Sequence, residues 1–336
     1  MNYNKKGLLL SLSAVIFVGL FYSCSPASEK LIAKPVVKYE KVDLKNNDVF
    51  RRPSVDILFV VDNSASMGTY QKNVADNMDQ FVDEFTKLKL IDYHIGVITT
   101  DAADGGQLVG SPSYVETSTV DGLRKLKINL KVGTNGSATE ELFGPTSTAL
   151  SKRLLAGYNA GFYRQDAYLV IIFVSDAEDQ SSITGSNLMN ELIALKGTKD
   201  KILSYGAMIP TGTSTGSCVQ DEGNPRKVEA FLAMNVNTGK NIVRLCDNDF
   251  GVKLVEFSKE IVQIVNKPII LSKVPIIPTI KVMYGSQEIL SNTVTGWYFD
   301  PKQNAILFGE DLYLDDKQPA GSKLDVFFDS VEFGGQ

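Results

Sequence analysis

The sequence predicts an α/β fold: a doubly wound, mostly parallel sheet followed by a small antiparallel β domain. Three observations support this. From Val55 onward, strand-like apolar runs alternate with stretches of helical periodicity, the pattern of a parallel sheet covered on both faces. The runs at 55–61 and 168–175 are apolar almost throughout, as strands buried on both faces are. Beyond Pro268, Pro275 and Pro278 only strand-like runs follow, separated by turn residues.

At 336 residues the chain is long enough to bury a substantial core, and it divides into four segments: 1–24, 25–53, 54–267 and 268–336. Lys5 and Lys6 precede an apolar stretch, 8–22, that has the length of a signal segment and is short for a membrane span. It ends in Ser23-Cys24-Ser25, which resembles the lipobox of bacterial lipoproteins. The resemblance implies a lipid on Cys24. Phe21 stands where an aliphatic residue is usual, so an uncleaved N-terminal anchor is the alternative. Ser25 in place of Asp implies, by analogy with Gram-negative sorting, the outer membrane. Residues 25–53 are polar and of mixed charge, and Lys34-Pro35 is an extended dipeptide; they read as a tether.

In the third segment, 55–61 is the first strand. Val74, Met78, Phe81, Val82 and Phe85 fall at helical spacing within 74–88. The run 93–99 is a second strand, and its His94, the only histidine, reads as structural. Residues 100–136 are rich in Gly, Asp and Ser, with strand patterns near Val115 and at 126–132; Asp101 and Asp104 read as turn formers. Ser137 and Glu140 fit a capping box opening a helix towards Ala156, with Gly144-Pro145 as a restart. Then come a strand at 168–175, a helix at 188–195, a strand at 202–209 and a helix at 252–265. In the last segment, runs at 280–284, 297–299, 305–308 and 324–328 read as a small antiparallel domain or sandwich.

The chemistry concentrates where the first strand ends, at Asp62-Asn63-Ser64-Ala65-Ser66-Met67. Asp62, Ser64 and Ser66 are hard oxygen donors, the ligand type Mg²⁺ and Ca²⁺ select. In an open α/β sheet, ligands bind beyond the carboxyl ends of the strands. The run 59–67 resembles the opening of von Willebrand factor A domains, and the likeness extends over roughly 55–265 with a second match near Asp176. In that family the motif begins a metal-ion-dependent adhesion site. The resemblance implies that Asp176, after the strand at 168–175, is a further ligand and that a third loop supplies a threonine. Thr139 is the first candidate and Thr146, after Pro145, the competitor. The alternative is that Asp176, Glu178 and Asp179 favour the N-terminus of the next helix.

Two carboxylates and several neutral hydroxyls offset a divalent charge without overwhelming it. The expected cofactor is Mg²⁺, with Mn²⁺ and Ca²⁺ as alternatives. What the resemblance adds is the partner: a protein whose Asp or Glu is captured through the cation, for adhesion or envelope assembly. An enzyme is not expected. A metal-assisted hydrolase or phosphoryl-transfer enzyme would need a nucleophile or base beside the ion, where this chain offers hydroxyls and no Gly-Lys phosphate cradle. A structural lipoprotein with an empty site is the third reading. Thirty-four basic residues against 39 acidic give −5, and no basic patch marks a nucleic-acid partner; no small-molecule substrate is expected either. With Cys24 assigned to lipid, Cys218 and Cys246 are left as a pair that in an oxidising compartment closes a loop of about 28 residues, worth roughly 3–4 kcal/mol in the chain-entropy model; two buried free thiols are the alternative.

Overall fold

A computed structural model describes residues 36–42, 54–68, 70, 77, 81, 91–215, 218–219, 224–235, 241–247, 249–265, 268–309, 312–315, 318–319, 322 and 324–332. The signal segment, Cys24 and most of the expected tether lie outside them. So does most of the helix expected at 74–88, of which positions 77 and 81 are described and helical. Among the described residues, no helix is long and apolar enough to cross a membrane.

Six strands build the main sheet: β1 (Ser54–Val61), β2 (Asp92–Thr99), β3 (Tyr114–Glu116), β4 (Tyr168–Val174), β5 (Ile202–Met208) and β6 (Ile242–Arg244). Their order is β3-β2-β1-β4-β5-β6. Every pairing is parallel except β2 with β3. Counting the parallel strands alone, the order is 2-1-3-4-5, a doubly wound sheet whose direction of winding reverses between β1 and β4.

The side chains explain the two-sided cover. Along β1, Val55, Ile57, Phe59 and Val61 enter one core, with Phe81 and the helix Phe250–Val265. Leu58 and Val60 enter the other, with the helices Gly185–Lys196 and Arg226–Ala233. Alternation with a period of two supplies both faces from one strand. Each fully buried aliphatic or aromatic side chain contributes about 1.5–3 kcal/mol, so β1 is anchored between two layers. Phe59 meets Phe81 edge-on at 5.6 Å.

The amino end of β1 is fastened by charge. Asp56 is fully buried, and Arg164 reaches it through the backbone N–H at 2.7 Å and Nε at 2.8 Å. The Arg164 guanidinium also donates to Asp92 Oδ2 at 2.7 Å and to the Val55 carbonyl at 3.0 Å. Lys196 Nζ stands 3.9 Å from Asp56 and donates to the Arg164 carbonyl at 2.6 Å. Burial raises the Asp56 pKa against the pull of Arg164, and burial lowers that of Lys196 to about 8. His94 is structural: its Nδ1 lies 2.8 Å from the Phe162 carbonyl oxygen.

Several expectations are corrected. The 126–132 run is not a strand: Gly122–Asn129 is a helix, with Leu126 and Leu130 buried four residues apart. No helix starts at Ser137. Its hydroxyl accepts the Thr139 N–H at 2.9 Å, and the helices are the shorter Phe143–Ala149 and Lys152–Leu155. Within the expected tether, Val36–Val42 is a strand beside Leu324–Glu332, and Glu40 pairs with Lys273 at 2.7 Å. The C-terminal part is β-rich as expected. Lys281–Tyr284 pairs antiparallel with both Gln287–Ile289 and Leu324–Glu332. Ala305–Phe308 pairs antiparallel with Trp297–Asp300 and Ile269–Ile270. Val282, Trp297, Ile306, Val326 and Phe328 share its core.

Candidate metal centre

β1 and β4 are hydrogen-bonded neighbours that end level with each other, Val61 opposite Val174. Chain leaving them departs to opposite sides of the sheet, which opens a crevice at their carboxyl ends. Asp62 and Asp176 lie there. The Asp62 N–H donates to the Val174 carbonyl at 2.8 Å, continuing the ladder one residue past β1 and fixing where its carboxylate starts.

Asp62 is fully buried. Its Oδ1 accepts the Ser64 N–H at 2.8 Å and the Thr100 hydroxyl at 3.4 Å; its Oδ2 accepts the Ser175 hydroxyl at 2.7 Å. These partners are neutral donors. They hold the carboxylate in orientation. The Ser64 and Ser66 hydroxyls touch at 2.9 Å, and Ser66 Oγ donates to Asp176 Oδ1 at 3.1 Å. The first and last loops of the motif are thereby joined side chain to side chain. Four of the five metal candidates thus converge.

Thr139, the fifth, is exposed in a turn, two residues beyond Ser137. Thr146 is buried inside the helix Phe143–Ala149, where its hydroxyl donates to the Leu142 carbonyl at 2.6 Å, as an in-helix threonine commonly does. The threonine that touches the Asp62 carboxylate is Thr100, which the sequence reading passed over. Its signal was available: it follows β2 as Asp62 follows β1, at the same edge of the sheet. Ser175, directly after β4, is a second hydroxyl of this kind. Asp101 behaves as a turn former, accepting the Ala103 N–H at 2.9 Å, and its other oxygen accepts the Ser137 N–H at 3.0 Å.

Asn63 and Gly136 fix the approach of the third loop. The Gly136 N–H donates to the Asn63 carbonyl at 2.7 Å, and a Cβ on Gly136 would stand 2.3 Å from Asn63 Oδ1. Any larger residue at 136 would have to push the Asn63 side chain aside. Glu178 and Asp179 do not cap the next helix, Gly185–Lys196, whose N-cap is Thr184; they accept from the first turns of two other helices. Glu178 accepts the Lys227 N–H at 3.1 and 3.2 Å, and Asp179 Oδ1 accepts those of Leu142 and Phe143 at 2.8 and 3.1 Å.

The donor set suits a hard divalent cation, since every converging atom is a carboxylate or hydroxyl oxygen. Among the described residues, no three His, Cys, Asp or Glu side chains form a group that could hold a metal ion. Of the cysteine calls, Cys246 is disulfide-bonded, while the Cys218 side chain lies outside the described residues.

No family model matches the chain, and no curated protein sequence does. Solved structures similar to it include proximal thread matrix protein 1 from the mussel byssus with a zinc-occupied MIDAS motif. That likeness has 10% identity and a TM-score of 0.40, over 66% of this chain and 50% of the mussel one. A von Willebrand factor type A structure from Catenulispora acidiphila matches at 13% identity and TM-score 0.37, covering 91% and 68% of the two chains. Manganese-loaded TRAP protein of Plasmodium vivax matches at 13% and 0.37, covering 67% and 77%. The chain spans about half the length of the mussel protein. With TM-scores this low, the reading of the site rests on the strand order and side-chain contacts described above.

Proposed function

We propose that this chain carries a von Willebrand factor A-type domain that binds a divalent cation, Mg²⁺ by preference, and uses it to capture an acidic side chain of a protein partner. The observation carrying this reading is the convergence of Asp62, Ser64, Ser66 and Asp176 at the crevice between β1 and β4. Asp62 and Asp176 supply the negative charge. Ser64 and Ser66 supply neutral oxygens, and a threonine, Thr139 or Thr100, completes the protein's share. Bound there, the cation supplies a hard Lewis acid that a carboxylate from outside can ligate. Ser175 and Thr100 hold the Asp62 carboxylate in place, so little rearrangement is needed when that ligand arrives.

In the same reading the protein is not an enzyme. It is exported, lipidated on Cys24 and held at the outer membrane, with Cys218 paired to Cys246 in an oxidising compartment. The C-terminal β domain, 268–336, serves as spacer or assembly element. Pull-down of envelope partners is the test. Capture in Mg²⁺, lost with EDTA and in Asp62→Ala, is the expected result; capture indifferent to both overturns the cation mechanism.

A further inference from the structure

Hydrogen bonds among the loops at the carboxyl edge close into a ring, and one side chain that links it, that of Asp179, touches no candidate ligand. From Asp62 the ring passes to the Thr100 hydroxyl, and the Thr100 carbonyl accepts the Glu141 N–H at 3.2 Å. The next two N–H groups, of Leu142 and Phe143, both donate to Asp179 Oδ1. Three residues before Asp179 stands Asp176, which accepts from Ser66, which meets Ser64, whose N–H returns to Asp62. Neighbouring stitches reinforce the Asp179 link. The Gln180 N–H donates to the Glu140 carbonyl at 2.8 Å, and the Gly144 N–H to the Ser181 hydroxyl at 2.9 Å, which itself donates to Asp179 Oδ1 at 2.6 Å.

We propose that Asp179 is a positioning residue for the cation site. Its carboxylate clamps the loop bearing Asp176 to segment 140–143, and through Thr100 to Asp62, so it sets cation affinity without contacting the ion. Asp179 is fully buried, and its Oδ2 has no hydrogen-bond partner among the described residues. A buried carboxylate oxygen left unmet is costly, so packing alone would not place an aspartate here. The acceptor is what the position requires: Oδ1 takes three hydrogen bonds from two elements that no sheet ladder joins.

The inference rests on the cation-binding reading, and its test separates the two. Mn²⁺ binding to the full chain is measured by calorimetry for wild type, Asp179→Ala, Asp179→Asn and Asp56→Asn, with hydrogen exchange on the cation-free proteins. Removing an outer partner of a metal ligand weakens affinity about 10–100-fold, and that loss is expected for Asp179→Ala. Asp179→Asn, whose amide oxygen accepts the same two N–H groups, retains most of the affinity. Asp56→Asn, at the opposite end of β1, loses stability but keeps wild-type affinity, which separates positioning from general weakening. Without cation, Asp179→Ala speeds exchange in 140–144 and 175–179 together. Wild-type affinity in Asp179→Ala, or exchange quickened in only one of those segments, overturns the positioning role alone. A wild-type chain that binds no Mn²⁺ overturns the cation reading, and with it any role for Asp179 in affinity.

Discussion

Two aspartates on one stretch of chain, Asp56 near the start of β1 and Asp62 just past its end, are both fully buried yet held in opposite ways. Asp56 is met by Arg164 at 2.8 Å, with Lys196 at 3.9 Å. Its charge is answered inside the fold. Asp62 instead accepts a backbone N–H and two hydroxyls, neutral donors that orient its carboxylate. The difference teaches that burial alone does not mark a site. What marks it is a buried carboxylate held by neutral donors at the edge where the winding of the sheet reverses.

The largest expected effect falls at the structural end. Removing one partner of a buried ion pair costs about 3–5 kcal/mol, so Asp56→Ala should lower unfolding stability by that order in urea while its folded fraction binds cation as before. Weakened cation affinity in the folded fraction would erase the division between the two ends. Lys196 gives a pH signature for the same end. Its pKa falls from 10.5 to about 8 on folding, so between those values the unfolded chain holds a proton that the folded chain has released. Stability therefore rises with pH across that window, by up to about 3 kcal/mol. Below pH 8 the burial cost is present in full. Lys196→Met should flatten this part of the stability profile, and an unchanged slope would contradict the assignment.

At the carboxyl end the expected effects are smaller and depend on cation. Wild type in Mn²⁺ at a hundred times its Kd should gain about 2.7 kcal/mol of stability, and Asp62→Ala should gain nothing; thermal unfolding with and without EDTA reads the difference. Smallest is Ser66→Ala, which removes the hydroxyl joining Ser64 to Asp176. A tenfold loss of affinity, about 1.4 kcal/mol, is expected with little change in the cation-free melting temperature.

Legibility followed the range of the forces involved. β1, β4 and the helix Phe250–Val265 were visible because apolar periodicity is local. Asp62, Ser64 and Ser66 were visible because one turn carries all three. The Asp56 network was not: Arg164 lies 108 residues away, and no spacing announces it. Neither was the short strand β6 or the helix Arg226–Ala233, both too brief for periodicity to separate from loop. Leu126 and Leu130 misled, since a four-residue apolar spacing in a short run fits either period until packing decides. The third loop was the hardest part. Its anchor is backbone, through Glu141, Leu142 and Phe143 to Thr100 and Asp179, and backbone donors leave no mark on residue type.

The central claim is that Asp62 and Asp176 share one cation with Ser64 and Ser66. Anomalous diffraction from crystals soaked in Mn²⁺ tests it most directly. The account predicts a single strong peak among those four side chains, absent in Asp62→Ala. A peak elsewhere on the molecule, or none at saturating Mn²⁺, would contradict it.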